Sequence, residues 1–278
     1  MNLLYVIIAA ILPAAVLIYF IYRKDKYEKE PVPQLLKGFG FGALSALASF
    51  LISVPFQSIG LFPSEATTFG GHLRTALFGA SVPEELAKFF FLWLLLRNNR
   101  YYNERVDGMV YAVCVGMGFA AFENIGYLIS SFDAWATVSI LRAIFSIPGH
   151  FFFAVTMGYF YSKASFDNLA KKGLNITLAI GLPILAHAAF DACLMVSNGF
   201  GLGGAALCTF LGLYVYLATI SKSRFETHLS VDKSTRKVDE VIREELADAA
   251  DGKRDNPVGE VIYLPEKKKS EITNTESC

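Results

Sequence analysis

Long apolar runs separated by short polar ones fill the chain as far as Ile220, and each run has about the length of a bilayer crossing. The runs cover residues 2–22, 34–59, 72–96, 108–130, 137–162, 174–197 and 201–220. A helix needs about 20 apolar residues to cross the hydrocarbon layer, so the pattern predicts about seven transmembrane helices in an all-α, polytopic membrane protein. The first run has no basic leader and no small-residue cleavage site, and Arg23 and Lys24 follow it directly. It is expected to be kept as a helix, not removed as a signal peptide.

Past Ile220 the residues turn charged and polar. Val238, Val241, Ile242 and Leu246 fall on one helical face within residues 234–250. One short amphipathic helix in a mostly disordered tail is the expectation, and residues 256–278 show no folding pattern at all. The expected organisation is a transmembrane domain over residues 1–220 and a charged cytoplasmic tail over residues 221–278.

Composition supports the membrane assignment, since 54% of the 278 residues are hydrophobic and only 18% charged. The charges decide orientation. Arg23, Lys24, Lys26 and Lys29, then Arg97, Arg100 and Arg105, then Lys163, Lys171 and Lys172 fall in alternate loops. The other loops carry no Lys or Arg, apart from Arg74 at the end of the third run. By the positive-inside rule the N-terminus lies outside and the C-terminus in the cytoplasm of a cell-membrane protein. These basic clusters border the membrane, so they point to the lipid bilayer as partner and not to nucleic acid. Cys114, Cys193 and Cys208 sit in apolar runs and Cys278 is the last residue, with neither CxxC spacing nor a disulfide framework.

One stretch breaks the apolar rule inside the third run: Ser81-Val82-Pro83-Glu84-Glu85-Leu86-Ala87-Lys88. A charged side chain at a helix centre costs about 2.5–3.5 kcal/mol on insertion scales, so such groups face a bundle interior and mark function. Other runs hold polar groups to meet it: Glu123 in the fourth, Arg142 and His150 in the fifth, His187 and Asp191 in the sixth. Counted from the cytoplasmic ends at about 1.5 Å per residue, Glu85, His150 and His187 lie at one depth, roughly 16–20 Å in, and Glu123 slightly deeper. Six unpaired charges would cost on the order of 15 kcal/mol. They are therefore expected to converge.

Helical spacing sharpens the expectation. His187 and Asp191 are four apart and share a face, as do Glu84 and Lys88, and Phe119, Glu123 and Tyr127 form one stripe. Glu85 points about 100° away from Glu84, so the two carboxylates need not share a task. Pro83, Pro148 and Pro183 shortly precede Glu84, His150 and His187, which predicts helices locally interrupted beside a cavity.

Two chemistries fit these residues. His150 and His187 with a carboxylate, Glu85 or Asp191, can hold Zn²⁺ with a position open for water, while a second carboxylate acts as general base. Without a metal, a carboxylate pair with separated pKa values can activate water and protonate a leaving amine. Lys88, Asn124 and Arg142 are candidate oxyanion stabilisers. A non-catalytic alternative makes the charged layer an ion or substrate path, although no inverted repeat accompanies it. Plainer roles are a Glu84–Lys88 ion pair, histidines satisfied within the bundle, and inter-helix hydrogen bonds from Asn124 and Tyr127.

The chain resembles the PrsW-type intramembrane protease family. The likeness rests on Lys29-Glu30-Pro31, the EExxK block Glu84-Glu85-Leu86-Ala87-Lys88, Asp107-Gly108-Met109-Val110-Tyr111, the FxxxENxxY block from Phe119 to Tyr127, Pro148-Gly149-His150, and the HxxxD block from His187 to Asp191. These blocks occur in the family's order over roughly residues 1–195. The resemblance implies a bacterial membrane peptidase whose substrates are membrane proteins, single-pass anti-sigma factors above all. It implies Glu84, Glu85, His150 and His187 as leading catalytic or metal-site residues, followed by Glu123, Asn124 and Asp191. The family is distantly similar to the CAAX prenyl endopeptidases, which carry an FxxxH block where this chain has Phe119-xxx-Glu123. In this chain either His150 supplies that imidazole or no metal is held.

Overall fold

A computed structural model describes residues 3–197 and 203–250, and among them every regular element is helical. Seven helical runs follow one another. The first two are α1 (Leu3–Lys24) and α2 (Val32–Ser58). The third joins α3 (Phe69–Arg74), a π-helical segment (Thr75–Ser81) and α4 (Val82–Leu96). Then come α5 (Arg105–Ser130) and a fifth run made of α6 (Trp135–Leu141), a second π-helical segment (Arg142–Ser146) and α7 (Ile147–Phe166). The last two are α8 (Lys172–Ser197), preceded by the short 3₁₀ turn Leu169–Lys171, and α9 (Gly203–Ala250).

Five of these are long and apolar enough to cross a membrane: Leu3–Lys24, Val32–Ser58, Arg105–Ser130, Trp135–Phe166 and Leu169–Val196. The third run is helical but carries Glu84, Glu85 and Lys88 within little more than one turn. The expected seventh span, residues 201–220, begins outside the described residues. The helix in the tail is longer than the short element expected over 234–250, because α9 runs unbroken to Ala250. The compact membrane-embedded unit ends at His228, and residues from Leu229 on form a unit of their own. The expectation for residues 256–278 lies outside the described residues.

α5 is the central post, its residues buried without a break from Val106 to Ala121. It packs against α1, α2 and α7, while α8 packs on α7 and on the first π-helical segment. Glycines bring the backbones together. A Cβ at Gly42 of α2 would lie 2.0 Å from the Val115 carbonyl oxygen, and one at Gly118 of α5 would lie 2.0 Å from that of Phe39. On the other side, a Cβ at Gly158 of α7 would come within 2.4 Å of the Gly108 carbonyl oxygen. Small residues at such crossings are how membrane helices gain packing energy when lipid offers no hydrophobic drive between them. Large apolar side chains instead face outward, as Leu51, Phe50 and Leu36 do.

The prolines act in two ways. Pro83 and Pro148 sit in the first turn after each π-helical segment, where the widened register absorbs the missing N–H. Pro183 lies inside α8 without interrupting it. The two widened segments end immediately before Glu84 and shortly before His150, and so set the rotation of α4 and α7 at the charged layer.

Candidate active site

The sequence predicts convergence of four helices, and the side chains of α4, α5, α7 and α8 do meet. Glu85 is fully buried; its Oε1 accepts from Lys88 Nζ at 2.8 Å and lies 2.9 Å from His187 Nδ1. Its Oε2 is buried with no hydrogen-bond partner. Lys88 Nζ also reaches Glu84 Oε2 at 3.5 Å and His150 Nδ1 at 3.1 Å, and it lies over the Phe119 ring at 3.9 Å from the centroid. The other nitrogen of His150, Nε2, is 3.1 Å from Glu123 Oε2. His187 turns Nε2 toward Asp191 Oδ2 at 3.4 Å and Glu84 Oε2 at 3.9 Å.

Glu123 and Asn124 occupy the far side. Arg142, the first residue of the second π-helical segment, donates from Nη2 to Glu123 Oε2 at 2.5 Å and from Nε to Asn124 Oδ1 at 2.8 Å. Asn124 Nδ2 in turn donates to the Ala10 carbonyl of α1 at 3.5 Å. The guanidinium covers the Tyr127 ring at 3.9 Å. The stripe Phe119, Glu123, Tyr127 is thus used along its length, with Lys88 against one ring and Arg142 both against the other and paired with the carboxylate between them.

All the site residues named from sequence are in this one network. Asp191 stands behind His187, and Asn124 behind Arg142. Sequence reasoning did not find Phe153, whose ring stacks on His187 at a centroid distance of 4.9 Å and an interplanar angle of 19°. Its position three residues after His150, one turn away on the same face, was the available signal. Nor did the sequence show that Lys88 reaches His150, 62 positions away.

Four groups can act as metal ligands together. One donor atom each from Glu84, Glu85, His150 and His187 lies within 4.8 Å of the others. Nitrogen and carboxylate donors of this kind are those a zinc-type site uses. The partnerless Glu85 Oε2 leaves a buried lone pair for a ligand, and Lys88 Nζ lies within 3.5 Å of three of the four groups, so the cluster attracts positive charge. The residues therefore fit a divalent ion.

Two cavities border the cluster. A cavity of about 510 Å³ is bounded by Glu84, Glu123, His150, His187 and Asp191 on one wall. A second, of about 470 Å³, lies between α2, the first π-helical segment and α5. Both touch Ala80, Glu84, Glu123 and Tyr127.

Two glutamates and two histidines thus meet inside a helical bundle, beside two cavities. A family profile described as PrsW family intramembrane metalloprotease matches residues 30–220. The chain belongs to this PrsW family. Among relatives, it is 33% identical to Protease PrsW of Clostridioides difficile over 67% of this chain and 78% of that one. It is likewise 33% identical to Protease PrsW of Oceanobacillus iheyensis, over 72% and 87% of the two chains, and 30% identical to Protease PrsW of Bacillus subtilis, over 67% and 81%. No solved structure matches the chain. As a PrsW-family protease it is a membrane enzyme whose substrates are proteins. The family's metalloprotease character and the buried Glu/His cluster both suggest a bound metal.

The motifs Lys29-Glu30-Pro31 and Asp107 to Tyr111 do not join this site. Tyr111 donates a short hydrogen bond to Glu30, and Asp107 closes the capping box of α5 by accepting from the Glu104 N–H at 2.6 Å. Their work is to tie the α1–α2 linker to the start of α5.

Proposed function

We propose that this protease cuts single-pass membrane proteins of the anti-sigma-factor kind, using a Zn²⁺ site formed by Glu85, His150 and His187, with Glu84 as general base. The observation that carries the reading is the approach of four donor atoms, from Glu84, Glu85, His150 and His187, to within 4.8 Å of one another. A divalent ion held there would acidify water and polarise a peptide carbonyl. Glu84 lines both cavities, whereas Glu85 is fully buried. Glu84 is therefore the carboxylate that can take a proton from water in the cavity and return it to the leaving amide nitrogen.

The remaining groups divide by whether they reach the cavity. Arg142 lines it and is aimed by Glu123 and Asn124, so it is the donor for the developing oxyanion. Lys88 and Asn124 are buried and act by holding others in place. Asp191 and Glu123 each orient one histidine through its second ring nitrogen, as carboxylates behind metal-binding histidines do.

The basic loops support an N-terminus outside and a C-terminus in the cytoplasm. Residues 1–220 would form the protease domain and residues 221–278 an appended tail. A helical substrate must unwind locally, since its carbonyls are otherwise bonded within the helix.

The test is cleavage of a single-pass reporter by purified protein in vesicles. Glu85→Ala and His187→Ala should abolish cleavage while leaving helical content intact; wild-type rates in either variant would overturn the assignment.

A further inference from the structure

The cavity of about 510 Å³ is lined by two unlike sets of side chains. One carries Glu84, Glu123, His187 and Asp191, the groups that the proposed chemistry uses. The other is built from Phe145, Phe190 and Phe210 with Leu194 and Met195. Phe210 comes from α9, a helix that contributes nothing to the charged cluster, and its ring packs on Phe190 at 4.8 Å and on Phe145 at 5.4 Å. The aromatic lining is thus assembled from three separate helical runs, and on α8 Phe190 adjoins Asp191 and lies one turn from His187. A volume of several hundred Å³ lined by aromatic side chains with a few polar groups on one side is the usual form of a binding pocket.

The second cavity shows how a chain could lie across this point. It is bordered by Ser49 and Ser53 of α2, Gly79, and Gly126 of α5. The hydroxyls of Ser49 and Ser53 are turned back to their own helix, onto the carbonyls of Ala46 at 2.8 Å and Phe50 at 3.3 Å. The two cavities share Ala80, Glu84, Glu123 and Tyr127 as lining residues. A peptide extended past these shared residues would send successive side chains to opposite sides. One of them would then face the aromatic cavity.

We propose that the aromatic cavity is a specificity subsite that receives a large apolar side chain of the substrate next to the scissile bond, while the chain continues through the α2–α5 groove. The inference rests on the protease reading above. Phe145 sets the width of the subsite, because it is half-buried at the cavity wall and lies on the widened segment beside Arg142. Gly126 keeps the groove open: a Cβ built there meets nothing within 4 Å.

The experiment uses full-length protein in phospholipid vesicles and single-pass reporters carrying Ala, Val, Leu, Phe or Trp at each transmembrane position. Cleavage sites and rates are read by mass spectrometry. Wild-type protein should prefer Leu or Phe over Ala at one position flanking the cut by about tenfold or more, the scale on which apolar pockets discriminate. Phe145→Ala should move the optimum toward Trp and Phe145→Trp toward Ala or Val. Opposite shifts from opposite size changes at one residue do not arise from general destabilisation. Gly126→Phe should raise KM for every reporter with the preference unchanged. Cleavage with a flat profile, or a profile that both Phe145 variants leave in place, overturns the subsite alone. Reporters left uncut by the wild type overturn the substrate reading, and the subsite with it.

Discussion

At one end of α5, Asp107 and Tyr111 meet Glu30 from the linker between α1 and α2; toward the other end, Glu123 and Asn124 meet His150 and Arg142 from the fifth helical run. Both places bury carboxylates, which is costly anywhere and more so in a membrane protein. The first meets the cost by neutralisation and hydrogen bonding. Burial pushes the Glu30 carboxyl up to about 7, against the opposing pull of its Tyr111 hydrogen bond, and the nearby charges of Asp25 and Glu28 push the same way as burial. The second meets it with cations and imidazoles and borders two cavities. A carboxylate bonded to tyrosine ties a linker to a helix. One held by His and Lys beside a cavity is placed as the proposed chemistry requires.

This contrast is broken most severely at the cavity-facing carboxylate. Glu84→Gln should lower kcat by about 10²–10⁴-fold, the range for loss of a general base, while the protein keeps its metal. Loss of metal together with activity would make Glu84 a ligand instead of the base. Asp191→Asn should have a milder effect, about 10–100-fold in metal affinity or in activity, as for other carboxylates that orient a metal-binding histidine. An unchanged metal affinity and rate would remove Asp191 from the site.

The smallest effect is expected at the other cluster, and it is one of stability. The Glu30 carboxyl sits at about 7 in the folded protein against an ordinary 4.5, so between those values the unfolded chain loses its proton first. The folded state then binds more protons than the unfolded one, and its stability falls as pH rises through this window. Thermal unfolding followed from pH 4.5 to pH 7 should show that decline. Glu30→Gln should flatten it while cleavage proceeds at the wild-type rate. A large loss of activity in this variant would join the two clusters into one functional unit.

The helical membrane fold and the membership of the site could be read from the sequence because both depend on period and on unlikely residue types. Apolar run length announces a span, and i,i+4 spacing puts His187 with Asp191 and Glu84 with Lys88 on shared faces. Depth along a helix follows from counting, so Glu85, His150 and His187 could be set at one level. The rotation of each helix about its axis could not be counted. It depends on backbone contacts such as Gly42 with Val115 and on the widened turns Thr75–Ser81 and Arg142–Ser146, which have no periodic signature. For that reason the Lys88–His150 contact, the ring of Phe153 under His187 and the aromatic wall supplied by Phe210 emerged only in three dimensions. Pro83 and Pro148 marked the widened turns, but Pro183 carried the same signal inside a regular helix.

The central claim is that Glu85, His150 and His187 hold a metal ion that proteolysis needs. Elemental analysis of the purified protein, paired with reporter cleavage before and after chelation, tests it directly. The account predicts one equivalent of zinc per chain, lost together with activity on chelation, restored together by added Zn²⁺, and missing from His187→Ala. Full activity in chelator, from protein that carries no stoichiometric metal, would contradict it.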